Sequence, residues 1–469
     1  MTRKRPNIIV FLTDDQGYGD LGIYGNPDLD TPHIDRIGQE GLCLNQHYTA
    51  SPICAPARAA FLTGRYNHRV GALSVESNRG LDRIALGEST IADLFKANGY
   101  ATGMVGKWHN GLHDMRYHPN NRGFDEFAGF LNGGMNYWNW IIEYNGQPKW
   151  SDGRYLTDVF TQDAIEFIKR HKTEPFFLYI AYNAPHGPLE APEEDIRPFE
   201  EMEKFTRAVC LTYGMIRRMD TGIGQILDTL EQHDLAEDTI VLYTSDNGPV
   251  HLGKGENDQT RYNGPFRGMK YDVLEGGIRV PGLIRWPAGL SQGETYDGML
   301  HFTDWMPTLL QACGIDMQTP SDGMDVIPAL QGEPQKLPTK RYWQFNRYDP
   351  IGTCNAAMRD GEWKLYWPRI EEAMQKMKSD NPPFQKNCEV PHFLMNVENP
   401  PVERTLSPPG DPELYNIDND PHENINLAQQ QPDRVHRMKR ELETWFEAVE
   451  ADRVSRPIRP QTTGCALVG

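Results

Sequence analysis

A cysteine, a proline and an arginine lie within five residues, in the segment Cys54-Ala55-Pro56-Ala57-Arg58. Pro56 suits the first turn of a helix, residues 57–62 favour helix formation, and Gly64 is a suitable helix end. Cys54 is therefore expected just before a helix N-terminus, where free N–H groups and the helix dipole attract an anion. These residues alone are typical either of a buried packing cysteine or of a reactive thiolate with a low pKa.

Other polar side chains follow four apolar runs of the kind that form buried strands. They are Asp14 and Asp15 after 7–13, Lys107 and His109 after 100–105, His186 after 175–183, and Asp246 and Asn247 after 238–244. Helical patterns separate these runs, which predicts an α/β fold with a doubly wound, mostly parallel sheet between helices. Ligands bind at the carboxyl ends of the strands in such sheets, so the polar residues are expected to share one site.

Four of these side chains offer only oxygen ligands: Asp14, Asp15, Asp246 and Asn247. Adjacent carboxylates after a buried strand are costly unless they bind something, and the alternative is a solvated turn. A hard cation is the expected ligand, Ca²⁺ with Mg²⁺ as the alternative, rather than zinc. Lys107 and His109 add a cation and a proton carrier at another strand end. His113 and His118 lack such a setting and are interpreted as surface residues.

The segment at Cys54, followed by Leu62-Thr63-Gly64-Arg65, resembles the signature of the type I, formylglycine-dependent sulfatases of the alkaline-phosphatase-like superfamily. Other segments resemble motifs of the same family, from Asn7 to about Phe446. They include Gly106-Lys107-Trp108-His109, Pro185-His186-Gly187-Pro188, Ser245-Asp246-Asn247-Gly248, Lys270 with the block 275–281, and 413–428. Arg279 in the 275–281 block is interpreted as structural. The sequence departs from the family at Asn110, where members often carry Leu.

The resemblance implies that Cys54 is oxidised by a formylglycine-generating enzyme to 3-oxoalanine, whose hydrated aldehyde is the nucleophile. One hydroxyl of the hydrate attacks sulfur and expels the alcohol, and the second loses a proton and expels sulfate. Arg58 and Lys107 would hold the hydrate, and His109 would be the base for the second step. His186 and Lys270 would act as donors to the leaving oxygen. The metal ligands would be Asp14, Asp15, Asp246, Asn247 and residue 54 itself.

The expected activity is hydrolysis of sulfate monoesters, of a sulfated carbohydrate in nature and of small aryl sulfates in assays. Rings in the stretch 135–150 are candidates for a sugar site, with ordinary packing as the alternative. Trp343, Phe345, Tyr348 and Trp367 of the smaller domain are further candidates. Asn132 lies near the place where some family members carry a polar sulfate-binding residue. Three alternatives stay open: a phosphonate monoester or phosphodiester hydrolase of the same superfamily, a non-catalytic binding protein, and an inactive protein with unmodified Cys54.

The composition sets the remaining expectations. The chain has 469 residues, enough for a catalytic α/β domain at 1–335 and a smaller α+β subdomain with a short antiparallel sheet at 336–469. A net charge of −18 argues against nucleic-acid binding. No apolar run reaches the length of a membrane span. Seven scattered cysteines fit a reducing compartment, so a cytoplasmic location is favoured over a secreted chain whose signal was removed. The oligomeric state cannot be predicted.

Overall fold

Strand β1 (Asn7–Thr13) runs through the middle of a ten-stranded sheet, and all seven of its residues are buried. Ile8, Val10 and Leu12 pack into the core on one face of the sheet, and Ile9 and Phe11 pack into the core on the other. A strand covered on both faces needs apolar residues at every position, which explains the uninterrupted apolar run. This computed structural model describes residues 5–112, 114–250, 261–380, 397 and 399–455.

The described strands form one large sheet, one small antiparallel sheet and one two-stranded pair. They are β1, β2 (Leu42–Leu44), β3 (His47–Tyr48), β4 (Ala101–Lys107), β5 (Glu126–Phe130), β6 (Ile141–Tyr144), β7 (Gln147–Trp150), β8 (Phe176–Ala181), β9 (Thr239–Ser245), β10 (Gly282–Arg285), β11 (Glu294–Tyr296), β12 (Leu300–His301), β13 (Lys340–Gln344), β14 (Ala356–Asp360), β15 (Trp363–Trp367) and β16 (Glu413–Asn416). The order in the large sheet is β11-β2-β10-β9-β1-β8-β4-β5-β6-β7. Its centre, from β9 to β5, is parallel, while β10, β6 and β7 run antiparallel to their neighbours.

Helices cover both faces of the large sheet. The described α-helices are α1 (Pro32–Gln39), α2 (Cys54–Thr63), α3 (Ile91–Ala97), α4 (Leu156–His171), α5 (Glu193–Glu200), α6 (Arg207–Gln232), α7 (Glu275–Ile278), α8 (Phe302–Ala312), α9 (Ile327–Leu330), α10 (Glu371–Met374) and α11 (Pro432–Ser455). Residues of α2, α3 and α8 pack into the core on one face, and residues of α1, α4 and α6 pack on the other. The predicted α/β class with a doubly wound, mostly parallel sheet is confirmed.

The second sheet, β13-β14-β15-β16, is antiparallel and packs against α11. Met358 and Leu365 of the sheet meet Leu442 and Trp445 of the helix in one buried cluster. Strands β14 and β15 form a hairpin in which Asp360 pairs with Trp363. The division of the chain at residue 335 stays a prediction. Within the described ranges, no helix is both long enough and apolar enough to span a membrane.

Candidate active site

The carboxyl ends of β1 and β9 lie side by side because the two strands pair in parallel, with Thr13 opposite Ser245. This register brings the carboxylates that follow the strands into contact. The backbone N–H of Asp246 donates to the Thr13 carbonyl at 3.1 Å, and the backbone N–H of Asp15 donates to Oδ1 of Asp246 at 3.2 Å. The predicted convergence of these two strand ends is therefore present in the structure.

Cys54 is the first residue of α2, one position further into the helix than expected, with Ile53 as the extended residue before it. Arg58 lies one turn along and is buried. Its Nε and Nη2 approach Oδ2 of Asp246 at 2.9 and 2.8 Å, and its Nη1 donates to the Lys107 carbonyl at 3.1 Å. Burial raises the pKa of the Cys54 thiol to about 11, the opposite of what a thiolate nucleophile requires.

The two predicted lysines each contact one carboxylate of the β1 end. Lys107 Nζ lies 2.5 Å from Asp14 Oδ2, and Lys270 Nζ lies 2.6 Å from Asp15 Oδ1. The Asn247 amide also donates to Asp15 Oδ1, at 2.8 Å. Burial opposes ionisation of Asp15, but the positive groups beside it, led by Lys270, together outweigh burial and hold the pKa of that carboxyl well below its usual range.

Two oxygens at this point lack a hydrogen-bond donor among the described residues and fit a hard cation. Asp14 Oδ1 and Asn247 Oδ1 are buried and accept no hydrogen bond from any described residue. Ligand atoms of Asp14, Asp15, Cys54 and His186 all lie within 4.8 Å of one another. Burial and the neighbouring charge of Asp14 raise the pKa of Asp246 to about 6, a repulsion that a divalent cation would relieve. Asp246 also accepts a hydrogen bond from Arg58 Nε, so the same carboxylate holds the arginine side chain.

The two predicted histidines differ in the atoms that they present. His186 Nδ1 lies 2.6 Å from the Gly187 carbonyl, which can only accept, so Nδ1 carries the proton of the neutral ring. Nε2 is then an acceptor, and it lies 3.7 Å from Asp15 Oδ2. Burial lowers the pKa of His186 to about 3. His109 is buried, its Nδ1 has no hydrogen-bond partner among the described residues, and burial with the charge of Lys107 lowers its pKa well below the usual value.

A cavity of about 220 Å³ reaches this group of residues from the surface. It is lined by Ile53, Cys54, Val75, Ser77, His109, Leu112, Asn132, Gly133, Gly134, His186, Lys270 and Tyr271. Asn132 therefore lies in the wall, close to where the sequence resemblance placed it. Val75, Ser77 and Tyr271 were not predicted, because the segment that contains the first two has no motif and Tyr271 is noticeable only as the neighbour of Lys270.

The predicted sugar-binding aromatics do not line this cavity. Trp343 and Trp367 are buried in the packing of the second sheet, where Trp343 Nε1 donates to the Thr49 carbonyl at 2.7 Å. Phe345 packs against Ile53 and Cys54 from behind the wall. In the 135–150 stretch, Trp138 and Trp150 are exposed, but neither lines the cavity. Packing decided the position of these rings, and composition could not reveal it.

His118 was expected at the surface, and this is wrong. The side chain is buried, its Nε2 lies 2.5 Å from Glu143 Oε1, and its Nδ1 accepts from the backbone N–H of Asn120. Its role is to cap a short 3₁₀ turn, Pro119–Asn121. Arg279 was interpreted as structural; it donates to the Asn45 carbonyl at 2.8 Å and lies over the ring of Phe266. His113 lies outside the described residues.

Comparison with known proteins places the chain in a family. Residues 6–315 match the Sulfatase family and residues 269–383 match the C-terminal region of N-sulphoglucosamine sulphohydrolase. Mouse arylsulfatase J is 30% identical over 94% of this chain and 75% of its own length, and human N-acetylgalactosamine-6-sulfatase is 35% identical over 69% and 66%.

A solved structure with the same fold is that of Ps i-CgsB in complex with k-i-k-neocarrahexaose. It has a TM-score of 0.78 and 29% identity, and the alignment covers 94% of this chain and 93% of that one. The match to the Sulfatase family spans well over half of the sequence. The chain therefore belongs to the sulfatase family, whose named members are sulfuric ester hydrolases.

Proposed function

We propose that this protein is a metal-dependent hydrolase of carbohydrate sulfate monoesters that uses residue 54, matured from cysteine to formylglycine, as its nucleophile. The observation that carries the proposal is the position of Cys54. It begins α2 and lines the cavity, with its sulfur beside the carboxylates of Asp14 and Asp15. A thiol is a soft ligand among oxygens, whereas an aldehyde hydrate offers two more oxygen atoms.

The metal would be held by Asp14, Asp15, Asp246 and Asn247 together with residue 54. Asp14 Oδ1 and Asn247 Oδ1, which are buried and accept no hydrogen bond from a described residue, support this assignment. The all-oxygen protein donors favour Ca²⁺, with Mg²⁺ as the alternative. When bound, the cation would supply Lewis-acid polarisation of the sulfate group.

Charge balance, proton acceptance and donation to the leaving oxygen are assigned to side chains of the protein. The positive charges of Arg58 and Lys107 act on residue 54, where the sulfate charge has to be balanced. The free Nδ1 of His109 is available to accept a proton from residue 54 when sulfate is released. Lys270 carries N–H donors at the cavity wall, suited to the leaving oxygen as the S–O bond breaks. His186 faces Asp15 as an acceptor, so Lys270 is the better candidate for the donor.

A carbohydrate substrate is proposed from two supports. The named relatives include an N-acetylgalactosamine-6-sulfatase, and a solved structure with 29% identity is a complex with a neocarrahexaose. The cavity wall also offers polar groups from Ser77 and Asn132 beside apolar ones from Val75 and Leu112. Such a mixture suits a sugar ring, whose faces are apolar and whose edges carry hydroxyls.

The proposal is tested with protein produced together with a formylglycine-generating enzyme. The tryptic peptide containing position 54 should be lighter than the cysteine form by roughly 18 Da, the change from –CH₂SH to –CHO. The matured protein should release sulfate from sulfated saccharides and from 4-nitrophenyl sulfate. Cys54→Ala and Cys54→Ser should each lose at least about a thousandfold in kcat, while Cys43→Ala keeps its activity.

Two outcomes would contradict the proposal. If Cys54→Ser kept the parent rate, residue 54 would not act through its matured form. If the matured protein cleaved phosphonate monoesters or phosphate diesters much faster than any sulfate ester, the substrate assignment would be wrong.

A further inference from the structure

The wall of the cavity contains a turn with an unusual backbone, formed by Lys270 and Tyr271. Tyr271 has φ = +79°, in the left-handed region that non-glycine residues seldom adopt. Its backbone N–H donates to the Pro52 carbonyl at 2.9 Å, and the Lys270 N–H donates to the Pro249 carbonyl at 2.9 Å. This turn determines where the Lys270 ammonium, 2.6 Å from Asp15, can reach.

One side chain from the second sheet holds this turn. Asn355, the residue before β14, is fully buried. Its Nδ2 donates to the Tyr271 carbonyl at 2.6 Å and to the Phe345 carbonyl at 2.9 Å, and its Oδ1 accepts from the Val273 N–H at 3.1 Å. The amide is therefore bonded at both ends to the backbone of residues 271–273, and its Nδ2 also to the backbone of Phe345.

The backbone conformation at position 355 also favours asparagine over most other residues. Its φ is +45°, a conformation that asparagine tolerates better than most side chains. Its own carbonyl accepts from the Phe345 N–H at 3.1 Å, and its N–H donates to the Pro368 carbonyl at 3.1 Å. An aspartate at this position would keep the shape and the acceptor but lose the donor to Tyr271, while a glycine would keep the backbone and lose both.

We propose that Asn355 is a positioning residue for catalysis, which fixes the 270–271 turn and so places the Lys270 ammonium at the leaving oxygen. The inference rests on the proposed function, in which Lys270 is the donor to that oxygen. It gives the second sheet a part in the reaction, although the sheet supplies none of the predicted catalytic residues. Displacement of Lys270 would lower kcat/KM most for substrates whose leaving group needs protonation, and least for those whose leaving group departs as a stable anion.

The test compares Asn355→Asp and Asn355→Gly with the parent on phenyl sulfate and on 4-nitrophenyl sulfate, whose leaving group is the more acidic. Rates are expressed per formylglycine, measured by peptide mass. For both variants, the loss in kcat/KM should be at least about tenfold larger on phenyl sulfate. Lys270→Ala should show the same preference, and Asn416→Ala, which alters the second sheet away from the turn, should not.

Equal losses on the two substrates in a variant that retains the parent's thermal unfolding midpoint would overturn the proposal. If Asn355→Gly fails to fold, the closely isosteric Asn355→Asp decides. If the parent prefers phosphonate esters, the proposed function fails, and the comparison is made with phenyl and 4-nitrophenyl phosphonate monoesters. A selective loss there would still assign the positioning role, and a uniform loss would refute it.

Discussion

Each buried carboxylate of the site has its own cationic partner. Asp14 pairs with Lys107, Asp15 with Lys270 and Asp246 with Arg58. Charges buried this deeply are tolerated only when they are paired. Because three cations already balance the three carboxylates, a divalent cation would leave the site with net positive charge. That surplus suits an anionic substrate, although the whole chain carries a net charge of −18.

Substitution of the neutral Asn247 tests the proposed metal ligands without removing a charge from the site. Asn247→Ala removes the unpartnered Oδ1 and the donor to Asp15, so we expect Ca²⁺ to bind at least about ten- to a hundredfold more weakly. Isothermal titration of metal-free protein with Ca²⁺ measures this. Asn45→Ala, which alters a partly exposed amide that pairs with Asp297, is the control. Unchanged Ca²⁺ affinity in Asn247→Ala would remove this residue from the ligand set.

At the scale of elements, the site is built from strand ends and one helix start that face a glycine-lined wall. Position 133 lies in that wall, and a Cβ added to Gly133 would stand 2.6 Å from Cε1 of His109. The His109 side chain is buried, so its ring has little room to move aside. The close approach explains why this wall contains no side chain at 133.

Gly133→Ala should therefore displace the His109 ring and reduce kcat by about ten- to a hundredfold, with a small change in the thermal unfolding midpoint. Steady-state rates on 4-nitrophenyl sulfate measure the effect. Gly87→Ala is the matched control, because a Cβ there meets no atom within 4 Å. Parent-like kcat in Gly133→Ala would show that His109 tolerates displacement and would weaken its role as the base.

At the scale of the whole molecule, a buried ionic network joins the second sheet to helix α7. Lys364 Nζ lies 3.0 Å from Glu275 Oε1 and 2.9 Å from Glu423 Oε1. Burial opposes ionisation of Glu275, yet Lys364 and Arg359 hold its pKa at about 2. A carboxyl with a lowered native pKa stabilises the fold above its unfolded pKa, near 4.5, and this contribution disappears as the pH falls towards 2.

Lys364→Ala removes the ion-pair partner of the buried Glu423 and one of the cations beside the buried Glu275, so we expect a loss of about 3–5 kcal/mol in unfolding free energy at pH 7. The deficit should shrink below about pH 5, because the carboxylates of the variant can then take up protons. Chemical denaturation at pH 7 and at about pH 4 measures both values. Lys340→Ala, which alters an exposed lysine of the same sheet, should cost less than about 1 kcal/mol. A deficit that grows as the pH falls would contradict this account.

Much of the fold was predictable because β1, β4, β8 and β9 are buried on both faces and therefore carry uninterrupted apolar runs. The strands β2, β10 and β11, at one end of the large sheet, were not predicted, since they are only three or four residues long. The sugar-binding role suggested for Trp343 and Trp367 was wrong because an aromatic residue has the same sequence signal whether it packs inside or lies open.

The sequence by itself determined the chemistry of the site: the residue types at Cys54, Asp14, Asp246 and Lys107, and the strand ends that had to bring them together. Only the tertiary structure decided how those groups pair, which oxygens are left for a cation, and which ring nitrogen of His186 lies toward Asp15. It also decided that Asn355, far along the chain, holds the turn beside Lys270. The physical reason is that strand and helix patterns are local, whereas pairing and burial depend on contacts between distant segments.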